Sequence, residues 1–244
     1  MLRRAMAART PSLRARYARR GLSARAPLDK TTQAMLLRQL YLSHFELRRF
    51  RQAHEMALQA IEVGVLSDVL HQDAARAALA AGDLELALGH LRIAARRGPL
   101  SRRPFHLWTL GSTLFLAHRY DEAIAALTRA VRGSTRPRSP RDEPSVSPGD
   151  GPLYLGHLAL ARIASGDDVD DLQGTIDLLS KAPSGQGYGR FVLGHLAYAS
   201  GAWAAARRYL DVFVKRTETG RTAMSIALEP EVRMARATLA KMAV

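Results

Sequence analysis

Four stretches, FRQAHEMALQA at 50–60, LELALGHLRIA at 84–94, YDEAIAALTRA at 120–130 and WAAARRYLDVF at 203–213, align without gaps. Each opens on a large apolar residue (Phe50, Leu84, Tyr120, Trp203) and places alanine three positions later (Ala53, Ala87, Ala123, Ala206). Four further on comes Ala57, Leu91, Leu127 or Leu210, and three beyond that Ala60, Ala94, Ala130 or Phe213. This spacing keeps the small residues on one face of a helix. Ala53 lies 34 residues before Ala87, Ala87 lies 36 before Ala123, and Ala123 lies 83 before Ala206. The last gap has room for one degenerate unit plus a long loop. LYLGHLALARIASGDD from Leu153, followed by LQGTIDLLSKAP from Leu172, supplies that unit.

A helix carrying a leucine and then a small residue precedes each stretch, most clearly at Leu107, Leu110, Gly111 and Leu114 and at Leu193-Gly194. Pro99 closes the second unit. This pattern resembles the tetratricopeptide repeat (TPR), a helix–turn–helix unit of about 34 residues. The resemblance implies an all-α fold, a right-handed TPR α-solenoid of about five repeats. Close packing explains the pattern: Gly111, Gly194 and the alanines let helices approach, while Phe50, Leu84, Tyr120 and Trp203 fill the wedge between them. Pro230 at a helix start, with Glu231 in the first turn, predicts a capping helix over 229–244.

Within this frame the chain divides into a basic arm at 1–28, expected to be flexible, a TPR block at 29–132, a Pro/Ser-rich loop at 133–152, a second TPR block at 153–228 and the cap. The arm holds Arg3, Arg4, Arg14, Arg16, Arg19 and Arg20 among its arginines; residues 1–30 carry nine basic residues against Asp29 alone, a net of +8. The whole chain is +14, and its 36 basic residues include only four lysines, a skew typical of GC-rich genomes. Three readings of the arm stand open: a solvated tail, a mitochondrial transit peptide over 1–26, or a functional arm for nucleic acid or anionic lipid. In the loop, Ser139-Pro140 and Ser147-Pro148 fit proline-directed phosphorylation, although a passive connector is the simpler reading.

The resemblance also implies that first helices line a groove for an extended segment of another protein. Carried over by position, the groove stripes contain Arg38, Leu42 and Phe45; Gln72, Arg76 and Leu79; Trp108, Ser112 and Phe115; Gly156, Leu160 and Ile163; Phe191, His195 and Tyr198. The stripe is mostly apolar, so the expected partner is a hydrophobic or amphipathic segment anchored on Trp108, Phe115, Phe191 and Tyr198. An alternative places Phe115 and Tyr198 in the core. A lysine–asparagine clamp for acidic C-termini is excluded, because the chain has no asparagine and no lysine between Lys30 and Lys181.

Catalysis is disfavoured. The absence of cysteine excludes disulfides, thiolate metal sites and cysteine nucleophiles. No G-x-S-x-G, Walker loop, G-x-G-x-x-G or H-E-x-x-H occurs. The eight histidines are dispersed singly; His157 and His195 fall on neighbouring first helices without a carboxylate at matching spacing, so no metal or other cofactor is expected. Asp167, Asp168, Asp170 and Asp171 read as a helix start. No stretch reaches the roughly 20 apolar residues of a membrane span. The first reading is therefore a non-catalytic scaffold or adaptor without a small-molecule substrate, cytoplasmic and bacterial, or in the mitochondrial matrix if the arm is a transit peptide. Alternatives are nucleic-acid or anionic-surface binding through the arm, with an acidic partner, and a secretion-type TPR chaperone.

Overall fold

The computed structural model describes residues 1–135 and 150–242. Among these the secondary structure is helical throughout, and the chain forms two compact units, Met1–Gly98 and Pro99–Val244. The first unit contains α1 (Leu2–Met6), α2 (Pro11–Leu22), α3 (Lys30–Glu46), α4 (Phe50–Glu62), α5 (Ser67–Ala80) and α6 (Leu84–Arg97). The second contains α7 (Arg103–Leu116), α8 (Tyr120–Ser134), α9 (Gly151–Ser165), α10 (Leu172–Lys181), a 3-10 turn at Pro183–Gly185, α11 (Gly189–Ala199), α12 (Trp203–Glu218), α13 (Thr222–Ala227) and α14 (Glu229–Lys241). Helices pair as α3–α4 and α5–α6 in the first unit, and as α7–α8, α9–α10 and α11–α12 in the second.

One device closes all five pairs. The turn after each first helix holds one residue in the left-handed region: Arg48 (φ 55°), Gly82 (φ 87°), His118 (φ 59°), Gly166 (φ 89°) and Gly201 (φ 78°). The next amide N–H donates five residues back, from Arg49 to His44, Asp83 to Ala78, Arg119 to Leu114, Asp167 to Arg162 and Ala202 to Ala197, each at 2.9 Å. This Schellman closure satisfies carbonyls that a helix end leaves open. Three residues then join the helices of four pairs and six join α9 to α10, so the paired helices run antiparallel. Aspartates start several helices: Asp83 accepts from the Leu86 N–H at 3.0 Å, and Asp171 from the Gly174 N–H at 2.8 Å. The acidic run thus does start α10.

The alanine register is the packing register. Ala53, Ala87, Ala123 and Ala206 are wholly buried, as are Ala60, Ala94, Ala130, Leu127 and Leu210. A Cβ on Gly111 would lie 2.6 Å from Leu127 Cγ, and one on Gly194 would lie 2.5 Å from Leu210 Cγ and Cδ2. These glycines set the separation of α7 from α8 and of α11 from α12. Of the four wedge residues, Phe50, Leu84 and Tyr120 are half-buried, with Phe50 against Phe45 at 5.6 Å and Tyr120 against Phe115 at 6.0 Å. Trp203 departs from the expectation. It is 64% exposed, since it opens the last pair and no further helix pair follows among the described residues.

Three sequence expectations are corrected. The arm at 1–28 is not a flexible tail: α1 and α2 bury Ala5, Ala15 and Ala18 against Leu36 and Leu40 of α3. Gly21 brings the backbone close, with Leu36 methyls 2.9 Å from where a Cβ would sit. Residues 133, 134, 151 and 152 are helical, ending α8 and opening α9, so the irregular stretch is shorter than 133–152. Positions 136–149, including Ser139-Pro140 and Ser147-Pro148, lie outside the described residues. The boundary between compact units falls at Gly98-Pro99 rather than at the proline-rich stretch, because α8 and α9 pack together despite it. The capping helix forms as α14, with Val232 and Ala235 buried, and the short α13 precedes it.

Candidate protein-interaction site

The proposed groove residues separate by unit. In the first, Arg38 on α3 and Arg76 on α5 meet at one carboxylate, with Leu42 and Leu79 one turn further along their own helices. Asp73, 1% exposed, accepts from Arg38 Nε at 2.5 Å through Oδ2 and from Arg76 Nη1 at 3.0 Å through Oδ1. Burial opposes the charge on Arg38, but the Asp73 charge and hydrogen bond outweigh it and raise the guanidinium pKa. Burial and then the Asp73 charge hold the neighbouring Tyr41 hydroxyl in its protonated form, against the opposing influence of Arg76 and Arg38. Two cations around one anion leave a surplus of one positive charge. Both arginines remain partly exposed at their outer edges, beside half-buried Leu42 and exposed Leu79. Phe45, by contrast, is core and packs on Tyr41 at 5.7 Å.

In the second unit the expected apolar anchors turn inward. Phe115, Leu160, Phe191 and His195 are buried; Trp108 and Tyr198 are half-buried. They do not form an open stripe, because a first helix here is flanked by its own partner and by neighbouring pairs, so its apolar arc is wider than one groove face. Trp108, Phe115 and Phe191 converge instead on His157. The Trp108 indole N–H donates to His157 Nδ1 at 3.2 Å, which places the imidazole proton on Nε2. Phe115 lies 5.3 Å from the same ring, and Phe191 packs on His195 at 4.7 Å. Burial, and secondarily His195, depresses the His157 pKa to about 3, and burial takes His195 to about 4. Tyr188 meets Trp108 edge-on at 5.1 Å and donates to Glu231 Oε1 at 3.3 Å. Burial lifts the Glu231 carboxyl to about 7, so this first-turn residue faces the core rather than solvent.

Sequence reasoning missed Asp73, Tyr41, Tyr188 and the inward role of Glu231. Asp73 carried a signal: it is an acid within a run of α5 that otherwise reads as core, 35 residues from Arg38 and so one position past the repeat register. A three-histidine chain was also missed, since its members were scattered over α4, α5 and α6. His90 bonds His71 through Nδ1 at 2.9 Å and His54 through Nε2 at 3.2 Å. Both nitrogens of His90 are thereby engaged, and burial, followed by the two neighbouring imidazoles, lowers its pKa to about 4. Among the described residues no group of three or more His, Asp or Glu side chains is arranged to hold a metal ion.

Among solved structures, PilF of Pseudomonas aeruginosa, from a study titled as its functional characterization, superposes with a TM-score of 0.52 at 19% sequence identity, covering 87% of this chain and 90% of that one. PilF is a TPR-containing protein, and the likeness defines an all-α fold of the TPR type here. No family model matches the chain, and no curated protein matches it. Among the described residues no helix is long and apolar enough to cross a membrane.

Proposed function

We propose that the protein is a non-catalytic scaffold or adaptor whose α3–α5 face takes up an amphipathic segment of another protein, with an acidic residue of that segment meeting Arg38 and Arg76. The observation that carries this reading is the pair of arginines fixed by buried Asp73 next to Leu42 and Leu79. A TPR-type fold supplies the setting, because such folds serve as interaction scaffolds. The arginines arrive preorganised, so little side-chain freedom is lost when a carboxylate binds. The adjoining leucines provide apolar contact for the same segment.

Selection of peptides from a random display library on the full chain tests the reading. Enriched peptides are expected to combine apolar residues with at least one acid, and to lose about tenfold in affinity against Arg76→Gln, the loss of one charge-assisted bond. Leu79→Glu, at a 37% exposed position, is expected to weaken them as well. Peptides that bind wild type, Arg76→Gln and Leu79→Glu equally would place the interaction elsewhere.

A further inference from the structure

We propose that the α1–α2 hairpin is a preformed docking surface for an anionic phospholipid bilayer. Residues 1–28 contain eight arginines and no acidic residue. Their side chains are sorted by the fold. Ala5, Ala15, Ala18 and Gly21 form the inner face, and two bonds clamp the hairpin to α3: Arg14 to Glu46 at 2.7 Å, and the Ser43 hydroxyl to the Pro11 carbonyl at 2.7 Å. Thr10 caps α2 by accepting from the Leu13 N–H, and Pro11 occupies its first turn. The remaining seven arginines, including Arg9, Arg16, Arg19 and Arg20, are exposed.

The outward face is not purely cationic. Met6 is 57% exposed and Leu13 36% exposed, and both lie among the arginines. On α2, Leu13, Arg16 and Arg20 follow i, i+3, i+7 spacing and so share one stripe. A surface that pairs basic groups with short apolar side chains suits the headgroup boundary of an anionic leaflet, where guanidinium groups meet phosphate and the apolar residues enter the acyl region. Single-stranded nucleic acid would call for exposed rings on which bases stack. The hairpin's one aromatic residue, Tyr17, is partly buried in its own packing against α3. The chemistry therefore favours lipid over single-stranded nucleic acid, and the exposed Met6 and Leu13, which phosphate contacts alone would not use, favour it over a duplex. Because α1 and α2 are held by α3, the arginines project from a backbone already in place, and binding orders little additional chain.

Flotation of the full chain with phosphatidylcholine vesicles, with and without phosphatidylglycerol, tests this. Binding is expected only when phosphatidylglycerol is present, and it should weaken steeply with salt. Arg16→Gln/Arg19→Gln/Arg20→Gln is expected to reduce it roughly a hundredfold, from about a factor of five per guanidinium near the surface. Met6→Ser/Leu13→Ser, which leaves the charge unchanged, is expected to reduce vesicle binding several-fold and leave any binding of single-stranded RNA unaltered. All substituted positions are exposed, and an unchanged thermal midpoint confirms that each variant is folded. Equal flotation with both vesicle types, or no flotation, overturns the proposal. So does vesicle binding indifferent to Met6→Ser/Leu13→Ser together with tighter binding to RNA, a result that would assign the face to nucleic acid.

Discussion

Gly111→Ala is expected to destabilise the second unit, although alanine is the better helix former. Left to propensity alone, the substitution within α7 would gain about 1 kcal/mol. The added Cβ would meet Leu127 Cγ at 2.6 Å, Cδ2 at 2.9 Å and the Ala123 carbonyl at 3.3 Å. Leu127 is itself wholly buried, so moving it disturbs its own packing, and the backbone carbonyl moves only if α8 retreats. Overpacking of this kind costs roughly 1–3 kcal/mol, and a cost in the upper half of that range, as expected where a backbone carbonyl is also met, leaves a net loss of about 1–2 kcal/mol. Two controls separate packing from backbone effects. Gly89 lies within α6 with nothing within 4 Å of its would-be Cβ, so Gly89→Ala should stabilise the first unit by roughly 0.5–1 kcal/mol. Gly82 is equally open but sits at φ 87°, so Gly82→Ala should cost about 1 kcal/mol. Urea denaturation followed by circular dichroism reads all three midpoints. If Gly111→Ala stabilised as Gly89→Ala does, close approach at Gly111 would not be what fixes α7 on α8.

The second unit makes three further predictions. Folding raises the Glu231 pKa from 4.5 to about 7, so the folded chain holds the extra proton in that window; stability from this residue is present below 4.5 and lost as pH rises to 7. Glu231→Gln should therefore gain over wild type on the order of 3 kcal/mol between those limits, whereas a difference that stays constant with pH contradicts a buried neutral carboxyl. His157 and His195 act in the opposite sense: their depressed values mean that the unfolded chain takes up protons first below 6.5, so wild-type stability should fall as pH drops from 6.5 toward about 4. Trp108→Phe removes the donor to His157 Nδ1 and should cost about 1–3 kcal/mol in urea denaturation, since the acceptor is fully buried; a neutral outcome would mean that the indole bond contributes nothing.

The fold was legible in the sequence where small residues repeat at a fixed interval, because Ala53, Ala87, Ala123 and Ala206 are conspicuous only through their spacing. Gly111 and Gly194 were legible for the same reason, and both are close contacts. The turn register was only partly visible. Gly82, Gly166 and Gly201 announced left-handed closures, but Arg48 and His118 occupy the same conformation with ordinary side chains. The arm misled because its arginines dominate the composition, while Ala5, Ala15 and Ala18, which pack it, look like background in an alanine-rich chain. The groove misled in another way. A stripe at i, i+4, i+7 identifies a face but not what covers it, so Phe45, Phe191 and His195 read as surface and are interior, and of the two readings left open for Phe115 the core one holds. Arg38 and Arg76 were on the stripe, yet their meaning depended on Asp73, a contact between two helices that no local pattern encodes.

A double-mutant cycle tests the central claim most directly. It pairs Arg76→Gln in the protein with replacement of the acidic residue in a selected peptide by its amide, each affinity being read by fluorescence anisotropy. The account predicts that either change alone weakens binding about tenfold and that the second adds little once the first is made, a coupling of roughly 1–2 kcal/mol. Additive losses, with no coupling, would show that the peptide's acid does not meet the α3–α5 arginines, and would contradict the proposed site.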